Sequence, residues 1–430
     1  MLVEKMTFNV KFDTPPMKED FLHYLFKTKQ LGKEFVSTEH QSIKIKNFGF
    51  HNFNAGPDFL NAQVEFDNIT WAGHIEFHVK SSDWYAHKHE TDNAYNNVIV
   101  HMVFEDDKEV LIKGHPVPTV VIKDRVDMSL YQNYLDLQKT KNEIPCSQGI
   151  TAVDPFLIKL QKEKALIERL ERKSQRVLDM LESEKGNHVK VLLLLLAEVF
   201  GGKVNRDPMR ELMKRFQLKW ISKLNCDPLE IEALLLGMGA FLDQPVDEYT
   251  RILVKKSKLS FYKFELHAMN KVNWKYSRMR PSNFPDFKLA QMAALISLPN
   301  FYEKLTTNSL DHKLIQPSAY WSNHFRVGVP SKDKNSAISN SLYDLIRINA
   351  VVPYLFGMGI YKNDQTLKDQ ALEILSSIKP EINSITKEWK SMGITLKTAF
   401  DSQALIEQKN KWCSAKKCLF CTIGNEVLKK

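Results

Sequence analysis

Apolar and polar residues alternate over 69–80, most densely in His74-Ile75-Glu76-Phe77-His78-Val79-Lys80. A period of two belongs to a β-strand, so Ile75, Phe77 and Val79 are predicted to face a core. His74, Glu76, His78 and Lys80 then share the opposite face. Other strands are predicted at 42–50, 62–66, 98–104, 110–112 and 119–122, with Asp67-Asn68 as a hairpin turn. Ahead of them, 20–30 reads as an amphipathic helix with Phe21, Leu22, Leu25 and Phe26 on one side. The polar segment 81–97 interrupts the alternation and is predicted to be a loop with a short helix.

After residue 125 the pattern becomes helical. Asp154-Pro155 supplies an N-cap and a first-turn proline for a helix reaching residue 184. Its cations from Lys159 to Arg176 alternate with Glu163, Glu168 and Glu171, which predicts a solvated face of i,i+4 pairs. Further helices are predicted at 188–200, 208–216, 229–241, 246–259, 287–298, 340–357, 365–378, 384–392 and 399–409. No fixed-period repeat occurs, so a solenoid is not expected. The fold class read from this pattern is α+β. An α/β domain over 1–125, ordered helix, three strands, helix, strand, precedes a larger all-α domain over 126–430 that ends in a cysteine cluster.

Composition narrows the function classes. Sixty Lys and Arg against 51 Asp and Glu give a net charge of +9, which suits a nucleic-acid partner without requiring one. The stretch 1–16 is mixed polar and lacks a signal peptide's apolar region. The longest apolar run, 191–197, is too short to span a bilayer. A cytoplasmic protein with no membrane partner is expected. Five cysteines, three of them near the C-terminus, favour reduced thiols or metal ligation over disulfides.

The turn Gly56-Pro57-Asp58 precedes the polar strand face. Asp58 and Glu76 can hold Mg or Mn through oxygen ligands, with His78 assisting as a ligand. Lys80 would steady negative charge developing at a phosphodiester. The bland alternative is a turn-capping Asp58 and a Glu76–Lys80 ion pair on an exposed strand. Pro57-Asp58, Glu76 and His78-Val79-Lys80 resemble the PD-(D/E)XK nuclease superfamily over residues 20–105. The resemblance implies metal-dependent cleavage of DNA or RNA, with Asp58, Glu76, His78 and Lys80 as catalytic residues. His78 stands where that superfamily places an acid, so the alternative function is a catalytically inactive scaffold or binding protein. A cupin-like metalloprotein binding a transition metal through His78, His87 and His89 is a further alternative. Otherwise His87 and His89 read as loop residues and His101 as a hydrogen-bonded core histidine.

Cys413, Cys418 and Cys421 have the spacing Cys-x4-Cys-x2-Cys, which suits zinc or an iron–sulfur cluster. Cys146 is the first candidate for a fourth ligand and Cys226 the second; three ordinary reduced thiols are the alternative. Some nucleases of the PD-(D/E)XK group staple distant chain segments with an iron–sulfur cluster, which adds an analogy. Arg278 and Arg280, interleaved with Trp274 and Tyr276, are candidate contacts to DNA or RNA phosphates, or simply helix-end cations. The segments GPDFLNAQV, WAGHIEFHVKSSDW, NNVIVHMVFEDD, RPSNFP and SQALIEQKNKWCSAKKCLFCTIG look like a bacterial family, domain-of-unknown-function family 2851. That likeness implies a bacterial protein and carries no particular activity.

Overall fold

The computed structural model describes residues 16–430, so nearly all of the polar opening stretch lies outside the described residues. The chain divides into two compact units: the described residues up to Gln161 together with Lys409–Lys430, and Lys162–Gln408. The change of pattern near residue 125 falls inside the first unit. The cysteine-bearing C-terminal segment also belongs to it.

The first unit is built on a mixed sheet. Its strands are β1 (Glu34–Val36), β2 (Ser42–Asn47), β3 (Phe50–His51), β4 (Phe59–Phe66), β5 (Ile69–Lys80), β6 (Val98–Glu105) and β7 (Thr119–Val121). They run in the order β1-β2-β4-β5-β6-β7, with β3 on β4. Asp67 and Asn68 take φ of 46° and 69°, the left-handed pair that a two-residue hairpin requires, and set Phe66 opposite Ile69.

β5 changes partners along its length. It pairs antiparallel with β4 from Ile69 to Ile75, then parallel with β6 from His74 to Lys80. Gly73 sits at the changeover because a Cβ there would lie 2.7 Å from the Asn97 carbonyl oxygen. Helix α1 (Glu19–Lys27) lays Phe21, Leu22, Leu25 and Phe26 into the same core as Ile75 and Phe77. The crossover from β5 to β6 contains α2 (Asp83–Ala86) and two short turns. A later helix, α3 (Met128–Lys139), has no counterpart among the predicted elements; its sequence MSLYQNYLDLQK has a weak apolar stripe, and Asp127 caps it. Asn133 Nδ2 donates to the Leu428 carbonyl and Gln138 Nε2 to that of Lys416, docking the C-terminal segment on α3.

The second unit is largely helical. Its buried centre includes the helices His188–Gly201, Pro228–Met238, Pro285–Ile296 and Val352–Tyr361. Gly237 lets Pro228–Met238 approach Glu248–Phe264, since a Cβ there would sit 1.9 Å from Ser257 Oγ. The segment predicted as one helix over 340–357 contains a π-helical turn at Arg347–Val351 just before Pro353, whose missing N–H cannot continue the α ladder. The predicted solvated face of Pro155–Ser183 is corrected: Arg169 and Arg172 both bond to Glu407, Lys162 to Asp401 and Lys173 to Asn349. The cations serve packing between helices because those acids are buried opposite them. Among the described residues, no helix is long and apolar enough to cross a membrane.

Candidate metal centre

The strand that changes partners also gathers the titratable residues. Glu76 and His78 point to the face of β5 covered by the crossover, and both are buried. His101 comes from β6, where it lies in register with Glu76. Lys88 adopts a left-handed conformation (φ 63°), which turns the chain so that His87 and His89 both face His78. Trp84, fully buried, meets the rings of His89 and His101 edge-on, and Tyr95 stacks on His89 with centroids 3.8 Å apart. The aromatic rings therefore fix His89 and His101, while His78 is fully buried and His87 stands at the exposed edge of the group.

Three imidazole nitrogens, from His78, His87 and His89, lie within 4.8 Å of one another, and Glu76 Oε1 lies beside two of those residues. His78 Nε2 lies 3.2 Å from His87 Nδ1 and 3.8 Å from Glu76 Oε1, which is 3.4 Å from His89 Nε2. Donors held 2.0–2.2 Å from a tetrahedral ion are about 3.3–3.6 Å apart, so the group has the dimensions of a ligand set. Behind it, His101 Nε2 lies 2.8 Å from His78 Nδ1 and fixes that ring's orientation. His101 Nδ1 and Trp84 Nε1 are buried with no hydrogen-bond partner.

A second group adjoins the first. Glu19, His23 and Asp58 offer ligand atoms within 4.8 Å of one another. His23 comes from the inward side of α1, and its Nε2 lies 3.1 Å from Asp58 Oδ2 without being directed along a hydrogen bond to it. A nitrogen lone pair beside a carboxylate oxygen is repulsive unless a proton or a cation lies between them. Asp58 N donates to Glu76 Oε2 at 3.0 Å, and Phe77 N donates to Asp58 Oδ2 at 2.9 Å, so the two groups share a backbone frame.

Burial governs the protonation of these groups. It pushes His78 down to about 2, assisted by His101 and His89, and His101 down to about 3. His89 is lowered for the same reason. Burial also raises Glu76, with Asp58 adding to the rise, and raises Glu19 to about 7. For His23 burial works downward, but the Asp58 and Glu19 carboxylates prevail and raise it. His78 and His89 are thus neutral ligands, and Glu76 and Glu19 hold protons that a cation would displace.

The sequence-predicted residues separate here. Asp58, Glu76 and His78 are brought together, joined by His87 and His89. Lys80 stands on the exposed end of β5, its backbone N–H bonded to Asp83 Oδ2, and it forms no ion pair with either carboxylate. Glu19 and His23 were not singled out from the sequence, although their i,i+4 spacing on the predicted first helix is a usable signal. An imidazole-rich set favours zinc, iron or manganese over magnesium.

Cys146, Cys413, Cys418 and Cys421 are all buried in the first unit, whereas Cys226 belongs to the second. Burial, then the neighbouring Cys421 and Cys418, push the Cys146 thiol up to about 12. Gly424 packs on the Cys418 carbonyl, where a Cβ would lie 2.4 Å from the oxygen. Arg278 and Arg280 are exposed in the second unit.

No curated protein and no solved structure matches the chain. A family model described as "Protein of unknown function (DUF2851)" matches residues 19–384. The match spans β5, both histidine–carboxylate groups and most of the helical unit, and the chain belongs to the DUF2851 family.

Proposed function

We propose that the chain is a metal-dependent phosphodiesterase acting on nucleic acid, with its centre at the histidine–carboxylate cluster of the first unit. The observation that carries this reading is the convergence of His78, His87 and His89, with Glu76 Oε1 3.4 Å from His89 Nε2, beside Glu19, His23 and Asp58. A transition metal bound there would polarise a phosphoryl oxygen and lower the pKa of a bound water. The order helix, antiparallel strands, short helical crossover and parallel strand supports a PD-(D/E)XK-like core with an altered ligand set. In this reading Asp58 and Glu76 would serve as the acids of that core, with histidines in place of the strand acid. His23 completes the second ligand group with Asp58 and Glu19. Phe53, 69% exposed, lies against His51, with Lys27 Nζ 5.6 Å from its ring. That edge offers a stacking surface and a cation to a strand entering beside His23.

The cysteine cluster supports a separate structural role: Cys146, Cys413, Cys418 and Cys421 hold zinc or an iron–sulfur cluster that clips the C-terminal segment to the first unit. Both ideas meet their test in full-length protein. Elemental analysis should find metal, and chelation followed by reloading with Mn or Zn should abolish and restore hydrolysis of single-stranded or double-stranded DNA or RNA. His89→Ala should lose it. Metal-loaded protein that cleaves none of these substrates is the scaffold alternative, and protein without metal at the histidines overturns the reading.

A further inference from the structure

The second unit contains a cavity of about 400 Å³ whose lining includes Arg280, Lys288, Lys334, Asn283, Gln291 and Ser282, and no acidic residue. Lys288 is the informative member. It is only 6% exposed, and its ammonium has one hydrogen bond, 2.9 Å to Gln291 Oε1. Among the described residues it has no carboxylate partner. Asp286, two residues earlier, is engaged elsewhere: its Oδ2 accepts from Val327 N at 2.8 Å. Burial alone pushes the Lys288 ammonium down to about 8.

An isolated buried ammonium is costly, and a protein keeps one where something compensates for it. Here Lys288 also sits in the first turns of helix Pro285–Ile296, where the helix dipole already favours negative charge. Lys334 reaches the same cavity, with its Nζ 2.7 Å from the His324 carbonyl and lying over the Phe325 ring at 3.7 Å. Arg280 stands exposed at the rim. Three cations, amide donors and no acid describe a receptor for a compact polyvalent anion.

We propose that this cavity binds a phosphate group, with Lys288 as the buried counter-charge and Arg280 as the rim clamp. The phosphate is either free or carried on a nucleotide. This site is independent of the metal centre, and its test reads binding rather than hydrolysis.

Full-length protein is heated with increasing sodium phosphate at constant ionic strength, with chloride as the reference salt. The native Tm should rise with phosphate and not with chloride. Lys288→Met removes the charge at similar size; its Tm without phosphate should equal or exceed that of the native chain, and the phosphate-dependent rise should vanish. A lysine that served only to support the fold would instead lower the starting Tm. Arg280→Gln, at an exposed position, should keep the starting Tm and need about tenfold more phosphate. Titration with a 5′-phosphorylated dinucleotide and its unphosphorylated counterpart identifies the source: tighter binding of the former than of inorganic phosphate marks a nucleotide-borne group, and equal binding marks free phosphate. A phosphate response equal to that of chloride, or one that persists in Lys288→Met, overturns the proposal.

Discussion

The backbone N–H of Asp58 donates to Oε2 of Glu76 at 3.0 Å, which leaves Oε1 facing His89 at 3.4 Å and His78 at 3.8 Å. One carboxylate oxygen is thus tied to the frame and the other is presented to the histidines. Glu76→Gln keeps the shape and the acceptor for Asp58 N, and removes the negative charge that a bound cation would draw out. Metal affinity at the histidines should fall by at least about tenfold. Because burial already keeps Glu76 protonated when no metal is bound, Gln is a near isostere of that state and the Tm of metal-free protein should stay level. Calorimetric titration with Zn and a thermal scan in chelator read the two effects. Unchanged affinity would exclude Glu76 as a ligand.

His101 acts through His78. Its Nε2 holds His78 Nδ1 at 2.8 Å, and its own Nδ1 is buried without a partner. His101→Phe fills the same space, exchanges the unpartnered His101 Nδ1 for an unpartnered His78 Nδ1, and frees the His78 ring to rotate. Metal affinity should drop about 10–100-fold, as for other partners that orient a ligand. The Tm of metal-free protein should not fall. A lowered Tm with native affinity would make His101 a core residue only.

Much of this site was legible because β-strand alternation is a strong local signal. The period over 69–80 placed Glu76 and His78 on one face, and Asp67-Asn68 marked the hairpin that brings Asp58 alongside. What the alternation could not supply is the covering layer. His87 and His89 lie in a polar segment without a period, and only the left-handed turn at Lys88 and the wall of Trp84 and Tyr95 aim them inward. Glu19 and His23 were hidden for a different reason: a histidine on an apolar helix face looks like packing until the acid opposite it is known. The same period misled at Lys80, because the strand runs past the covered region and its last residue reaches solvent. Docking of 409–430 on α3 rests on contacts nearly three hundred residues apart in sequence, such as Asn133 to Leu428, which no local pattern encodes.

The two ligand groups should load at different pH. His78 is held down to about 2, so its lone pair is open to metal across the neutral range. Glu19 is raised from 4.5 to about 7 by burial and must lose its proton before it can bind a cation. Occupancy by Mn or Zn, measured by elemental analysis after gel filtration, should gain one ion per chain between pH 6 and pH 8. Stability of the metal-free protein follows the same groups. A carboxyl raised above its unfolded value contributes stability below pH 4.5 that is lost as pH rises through about 7; between 4.5 and 6.5 the lowered histidines oppose this loss, so the decline it gives the Tm in chelator should show from about pH 6.5 upward. A histidine lowered from 6.5 to about 2 contributes stability above 6.5 that is lost as pH falls toward 2, so the Tm should also decline in acid. Metal should raise the Tm most at the alkaline end. A metal-induced rise that is constant with pH would separate Glu19 from the ligand set.

The last test concerns the C-terminal segment. Cys146 precedes the helical unit and Cys413, Cys418 and Cys421 follow it, yet all four are buried in one unit. Burial pushes the thiols of Cys146 and Cys418 up to about 12, so without a bound cation these two remain protonated and inert. A metal would supply the charge that turns them into thiolates. Cys146→Ser replaces a soft ligand by a poor one while nearly preserving volume. One zinc, or the visible absorbance of an iron–sulfur cluster, should be lost. The Tm should fall by several degrees, since each kcal/mol is worth about 2–4 °C in a domain of this size. Limited proteolysis within 409–430 should quicken as the segment comes off α3. Cys226→Ser, in the other unit, is the matched control and should change none of these. If Cys146→Ser behaves as the control does, the four thiols are packing residues and the docking on α3 alone holds the segment.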